Sequence, residues 1–199
     1  KLAWTPVPEV VAALDRAYDL SFRCIVPSGR RFLLGLDVSG SMDAGVVGGQ
    51  VGLTPRLASA AMAMATLRTE PECTSFAFSH QLVPVALRAE HSLAEVTNLM
   101  RQIPMGATDC ALPMIHATKT KTPVDVFVVY TDNETWFGNM HPYQALLRYR
   151  EATGIPAKLA VVGLTATNFT IADPTDSGSM DFVGFDSAAP AVLSDFARS

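Results

Sequence analysis

At 199 residues, with 49% hydrophobic side chains and both signs of charge well represented, the chain is long enough for one domain with a full core and too short for two. A net charge of −4 excludes a general electrostatic footprint for wrapping nucleic acid, so an acidic partner needs a local positive centre such as a metal. No apolar run approaches the roughly 18–20 residues that cross a bilayer, and Lys1-Leu2-Ala3-Trp4-Thr5-Pro6 lacks the basic and apolar regions of an export signal.

Residues 8–20 carry Val10, Val11, Leu14, Ala17 and Tyr18 at helical spacing behind a proline, which predicts a first helix. A turn at Pro27-Ser28-Gly29 leads into the apolar run 31–36, which reads as a strand buried on both faces and ending in Asp37. The segment 43–52, with Gly45, Gly48, Gly49 and Gly52, shows no order of its own and reads as a flexible lid. Thr54 caps the next helix, with Pro55 at its first position, and that helix runs to about Arg68. Residues 73–78 and 81–85 read as a strand pair separated by Ser79-His80, and residues 91–102 as a helix.

Thr108-Asp109 follows a turn at Gly106, residues 110–120 read as a helix, and the strand 124–130 closes on Thr131-Asp132. A helix over 142–152 stops at Gly154, and 158–163 is another buried strand. Residues 164–179 read as a polar loop, 181–185 as a short edge strand and 188–197 as the last helix. Apolar strands alternating with helices imply an α/β fold: a doubly wound, mostly parallel, Rossmann-like sheet with helices on both faces. In such sheets ligands sit beyond the strand carboxyl ends where strand order reverses, and Asp37 and Asp132 both project there.

Asp37-Val38-Ser39-Gly40-Ser41 offers one carboxylate and two hydroxyls at alternate positions past a strand end. Thr108 adds a hydroxyl from a second loop and Asp132 a carboxylate from a third. Oxygen donors without imidazole or thiolate suit one hard divalent ion, Mg²⁺ first, with Mn²⁺ or Ca²⁺ as alternatives. With the hydroxyls as direct ligands and the aspartates acting through water, such an ion keeps much of its charge and seeks an anionic oxygen from outside. Each string alone also fits a turn or a helix cap; the three together on loops of one sheet favour the metal.

Other chemistries fit less well. His80, His91, His116 and His141 are scattered, with no pair at i, i+4, and read as surface or capping residues. Cys24, Cys73 and Cys110 are odd in number and form no C-x-x-C pair, which points to a reducing, cytoplasmic setting and not to a disulfide framework or zinc site. The glycine-rich segment has neither a Gly-Lys-Ser/Thr ending nor G-x-G-x-x-G spacing. Met62 and Met64 lie on a helix of small residues and read as core. The enzyme alternative is an aspartate-nucleophile, Mg²⁺-dependent phosphohydrolase, but it needs a second acid two residues after the first, and that position is Ser39. A binding role without catalysis is therefore expected.

The combination of Asp37-Val38-Ser39-Gly40-Ser41, Thr108 and Thr131-Asp132 resembles the metal-ion-dependent adhesion site of von Willebrand factor A and integrin I domains. Further strings are similar to the Ro autoantigen family: Arg31-Phe32-Leu33-Leu34, Gln102-Ile103-Pro104, Thr108-Asp109-Cys110, Leu112-Pro113-Met114-Ile115, Thr131-Asp132-Asn133-Glu134-Thr135, Phe169-Thr170-Ile171-Ala172-Asp173-Pro174 and Gly184-Phe185-Asp186. They cover nearly the whole chain, and its richness in alanine, glycine and proline points to a bacterial member.

The resemblance implies a carboxyl-terminal domain: residues 1–30 as helix and linker from a helical-repeat ring, residues 31–199 as the von Willebrand factor A domain. It implies that Asp37, Ser39, Ser41, Thr108 and Asp132 hold the metal. It further implies a ring that binds noncoding Y RNA in RNA quality control, with the metal docking either an Asp or Glu of a protein partner or an RNA phosphate; the lack of a long apolar run predicts no membrane association.

Overall fold

The computed structural model describes residues 5–132, 137–165 and 171–199. Asn133, Glu134, Thr135, Phe169 and Thr170, named in the resemblance above, lie outside the described residues, as do residues 166–170 of the expected polar loop 164–179. In chain order the elements are α1 (Pro8–Ser21), β1 (Arg31–Asp37), α2 (Pro55–Thr69), β2 (Glu72–Phe78), β3 (Leu82–Pro84) and α3 (Leu93–Arg101), followed by α4 (Leu112–Thr120), β4 (Val126–Thr131), α5 (Pro142–Thr153), β5 (Lys158–Gly163), β6 (Ser179–Val183) and α6 (Ala189–Arg198).

The strands form one sheet in the order β3-β2-β1-β4-β5-β6. Only the hairpin partner β3 is antiparallel; the other pairings are parallel. Strand order reverses between β1 and β4, so the crevice there opens just past Asp37 and Thr131. This is the doubly wound α/β sheet expected from the alternation of apolar strands and helices.

Alternation along the central strands divides the core in two. Phe32, Leu34, Leu36, Val126, Val128 and Tyr130 pack with α2, α3 and α6 residues on one face. Leu33, Phe127 and Val129 pack with α4 and α5 residues, among them Met114, Leu146 and Tyr149, on the other. Gly35 lets α4 approach β1 closely, because a Cβ there would lie 2.8 Å from Pro113 Cγ. Met62 and Met64 are core residues, as expected.

Several boundaries differ from the sequence reading, for local physical reasons. Segment 43–52 is not without order: it contains a short 3-10 turn at Val47–Gly49, and Val47 is fully buried with its N–H bonded to the Leu53 carbonyl at 2.9 Å. The edge strand begins two residues earlier than expected because its register is set by parallel pairing with β5, Leu159 opposite Ser179. Helix α4 starts at Leu112, not at residue 110, since Asp109 turns its carboxylate onto the Ala111 N–H at 3.1 Å.

Helix α1 forms, but none of its residues is buried: Val10, Val11 and Leu14 are exposed, and the helix is held by Tyr18, whose hydroxyl donates to the Ala61 carbonyl at 2.7 Å. The chain then enters β1 through a fixed turn. The buried Glu70 carboxylate accepts from the Ser28 N–H and hydroxyl, the Gly29 N–H and the Ser194 hydroxyl. Among the described residues no helix is long and apolar enough to cross a membrane.

Candidate metal centre

Asp37 is the last residue of β1 and is fully buried. The pleat gives it the same face as Leu33 and Gly35, against α4. One carboxylate oxygen accepts from the Ser39 N–H at 2.7 Å, and the other accepts from the Thr131 hydroxyl, across on β4, at 2.7 Å. Burial pushes the Asp37 carboxyl above the ordinary aspartate range; the Ser39 and Thr131 hydrogen bonds pull it partly back, and the charge of Asp132 pushes it up.

Past the strand end, Ser39 caps a short 3-10 turn over Gly40–Asp43 that contains Ser41, and the two hydroxyl oxygens stand 3.1 Å apart. Ser39 is buried, Ser41 exposed. Asp132, 8% exposed, follows β4, and its carbonyl accepts from the Thr165 hydroxyl. The Asp37 side of the centre is thus internal and the Ser41 side faces outward.

Thr108 enters on the 104–109 segment, which is fastened from two sides. The Asp109 N–H donates to the Ser79 carbonyl at 2.9 Å, the buried Ser79 hydroxyl reaches the Pro104 carbonyl at 3.3 Å, and the Phe137 N–H donates to the Thr108 carbonyl at 2.7 Å. The buried Cys110 reports how the acids gather: its thiol is raised first by burial, then by the charges of Asp37, Asp109 and Asp132. Where this segment passes the β2–β3 turn, Gly106 leaves room for the exposed His80 ring, since a Cβ there would fall 1.9 Å from His80 Nδ1.

Of the five residues expected to act together, Asp37, Ser39 and Ser41 are linked by direct contacts. Asp132 is close enough to act on Asp37 electrostatically, and the segment carrying Thr108 runs beside both acids. Among the described residues neither Asp37 nor Asp132 has a Lys, Arg or His partner within ion-pair distance. Two buried acids without a cation among the described residues, beside paired hydroxyls, make a donor set that a hard divalent ion fits. Among the described residues no three His, Cys, Asp or Glu side chains gather into a metal-binding group, so a centre here depends on the serine and threonine oxygens.

Sequence reasoning missed four residues around this crevice: Arg56, Asp43, Ser79 and His80. The available signal was Arg56, a charge in the first turn of a helix whose middle, residues 58–65, is built from alanine, serine and methionine. It is fully buried, with Nε donating to Asp43 Oδ1 at 2.8 Å and Nη2 to the Ser39 carbonyl at 3.4 Å. Of the histidines, His141 caps α5, accepting from the Tyr143 N–H at 3.4 Å, while His116 packs against Phe76 with ring centroids 4.8 Å apart and planes tilted by 53°.

With this geometry in place, a profile of the Ro60 vWA domain matches residues 31–197. The chain belongs to the Ro60 vWA domain family. The RNA-binding protein RO60 of Deinococcus radiodurans is 48% identical over 198 residues, which is 100% of this chain and 37% of that protein. The crystal structure of the Deinococcus radiodurans RO (RSR) protein matches with a TM-score of 0.88 over 98% of this chain and 39% of that chain. The Caenorhabditis elegans RNA-binding protein RO60 is 38% identical over 196 residues, 98% of this chain and 30% of that protein.

The chain therefore spans roughly a third of the length of these curated relatives. At 16% identity and a TM-score of 0.54, over 86% of this chain and 75% of that one, the manganese-loaded Plasmodium vivax TRAP protein shares the fold alone.

Proposed function

We propose that this Ro60 vWA domain is a divalent-metal-dependent binding module whose ion, Mg²⁺ in preference to Mn²⁺ or Ca²⁺, is held by Asp37, Ser39, Ser41, Thr108 and Asp132. The observation that carries the reading is the pair of buried carboxylates at the β1/β4 switch point, without a cationic partner among the described residues, beside the paired Ser39 and Ser41 hydroxyls. Bound there, the ion supplies a positive centre for one anionic oxygen from outside. Ser41, exposed, marks the side from which that oxygen enters; Asp37, buried and bonded through both oxygens, holds the floor of the site.

The same two bonds count against the aspartate-nucleophile alternative. Both Asp37 oxygens are already engaged, and the position that would carry a proton-transferring acid is Ser39. The external ligand is an Asp or Glu side chain of a protein partner. RNA is engaged by the larger protein, through a helical-repeat ring joined by residues 1–30, with cytoplasmic Y RNA and RNA quality control as its setting. Two facts support this: the relatives bear the name RNA-binding protein RO60, and the present chain is acidic, with a net charge of −4.

Calorimetry with a short glutamate-bearing peptide tests the docking reading. Binding in Mg²⁺ that disappears with EDTA and in Asp132→Ala is expected; affinity unchanged by both rejects it. Submicromolar binding of RNA by the 199-residue chain at physiological salt would contradict the placement of RNA contacts elsewhere.

A further inference from the structure

Arg56 presents an energetic puzzle. Its side chain is 1% exposed, yet its only ion-pair partner among the described residues at 2.8 Å is Asp43, whose side chain is 33% exposed. Its Nη1, and the Ser59 hydroxyl one turn further along α2, are buried with no hydrogen-bonding partner among the described residues. A desolvated guanidinium with one partly solvated partner and an idle N–H is a poor source of stability, and an apolar side chain of similar volume is commonly as good or better.

What the guanidinium does accomplish is geometric. Its planar fork spans the two ends of one turn, Nε on the Asp43 carboxylate and Nη2 on the Ser39 carbonyl at 3.4 Å. Between those points lie Gly40, Ser41 and Met42, and the Ser39 and Ser41 hydroxyls are the oxygens paired at 3.1 Å. Helix α2 is a firm base for the fork: Thr54 caps it through the Leu57 N–H, and Ala58, Ala60 and Ala63 are fully buried against the sheet.

We infer that Arg56 is a positioning residue that clamps the 39–43 turn from beneath, presetting the Ser39 and Ser41 oxygens. This rests on the metal reading given above for those serines, but the clamp itself exists in the metal-free chain and is measurable there. Arg56 touches neither metal nor ligand; it acts through the turn.

Hydrogen exchange by mass spectrometry on the metal-free 199-residue chain separates the two. In Arg56→Met the amides of residues 39–44 are expected to exchange at least about tenfold faster, while β5 keeps its protection; Mn²⁺ affinity, followed by electron paramagnetic resonance, falls about tenfold or more. Arg56→Lys, which keeps one of the two contacts, recovers part of both. Unchanged exchange at 39–44, or a uniform rise across the whole chain in both variants, overturns the inference. If the parent chain binds no Mn²⁺, the metal reading fails, and the exchange result alone decides whether the clamp exists.

Discussion

The Thr131 hydroxyl, on β4, donates to the Asp37 carboxylate, on the neighbouring β1, at 2.7 Å, so the two central strands are tied at the mouth of the crevice by the residue that a metal centre most needs held still. Groups that orient a ligand-bearing carboxylate commonly matter tenfold or more for metal affinity. Thr131→Val keeps the shape and removes the donor. Mn²⁺ affinity measured by calorimetry should fall by about tenfold, with a stability loss of about 1–2 kcal/mol for the lost buried hydrogen bond; equal affinity would show that Asp37 needs no such support.

The raised Asp37 carboxyl gives the metal-free chain a pH dependence of definite sign. The native state keeps that proton to higher pH than the unfolded chain does. Between the ordinary aspartate value near 4 and the raised native value it therefore binds more protons, and stability falls as pH rises. Asp37→Asn removes the buried charge while its amide can still accept from Ser39 and donate to Thr131. In EDTA at pH 8 it should melt about 2–4 °C above the parent, with the difference shrinking on acidification, and it should bind no Mn²⁺. A lower melting temperature at pH 8 would argue that the charge is compensated within the chain.

Gly106 and His80 make a pair that can be tested as a pair. Gly106→Ala sets a Cβ 1.9 Å from the His80 ring, so the ring or the Thr108 segment must move. A loss of about 1–3 kcal/mol in denaturant unfolding is expected, together with weaker metal binding, and His80→Ala in the same chain should restore most of both. Additive losses in the double variant would place the effect elsewhere.

At the opposite end of the strands, Arg31 and Asp125 form a partly exposed pair at 2.6 Å, and the Arg31 hydrogen bond holds the Asp125 carboxyl below its ordinary value. Its contribution to stability is present above about pH 4 and is lost as pH falls through the lowered native value. Asp125→Asn should flatten acid unfolding, followed by circular dichroism below about pH 4, and leave Mn²⁺ binding near neutrality unchanged.

The sheet was legible because its signal is periodic: runs such as Leu33–Leu36 and Val126–Tyr130 are apolar on both faces, which only a strand covered by helices on both sides accommodates. The Asp37 and Asp132 placements followed, since both end such runs. Boundaries set by pairing partners or by side-chain caps, as at Ser179 and Asp109, were not legible. Nor was Arg56: a lone arginine reads as surface until packing of the small residues around it shows that it has nowhere to go. His80 escaped for a related reason. It meets Gly106 across a gap of 26 positions, a distance that no local pattern spans.

The most direct test of the metal centre is a calorimetric titration of the 199-residue chain with Mn²⁺ and Mg²⁺, beside Ser39→Ala, Thr108→Ala and Asp132→Ala variants whose folding is checked by circular dichroism. One saturable site in the parent, lost or at least about tenfold weaker in each folded variant, is the expected result. Absence of saturable binding in the parent, or equal binding in all four proteins, would contradict a metal held by these oxygens.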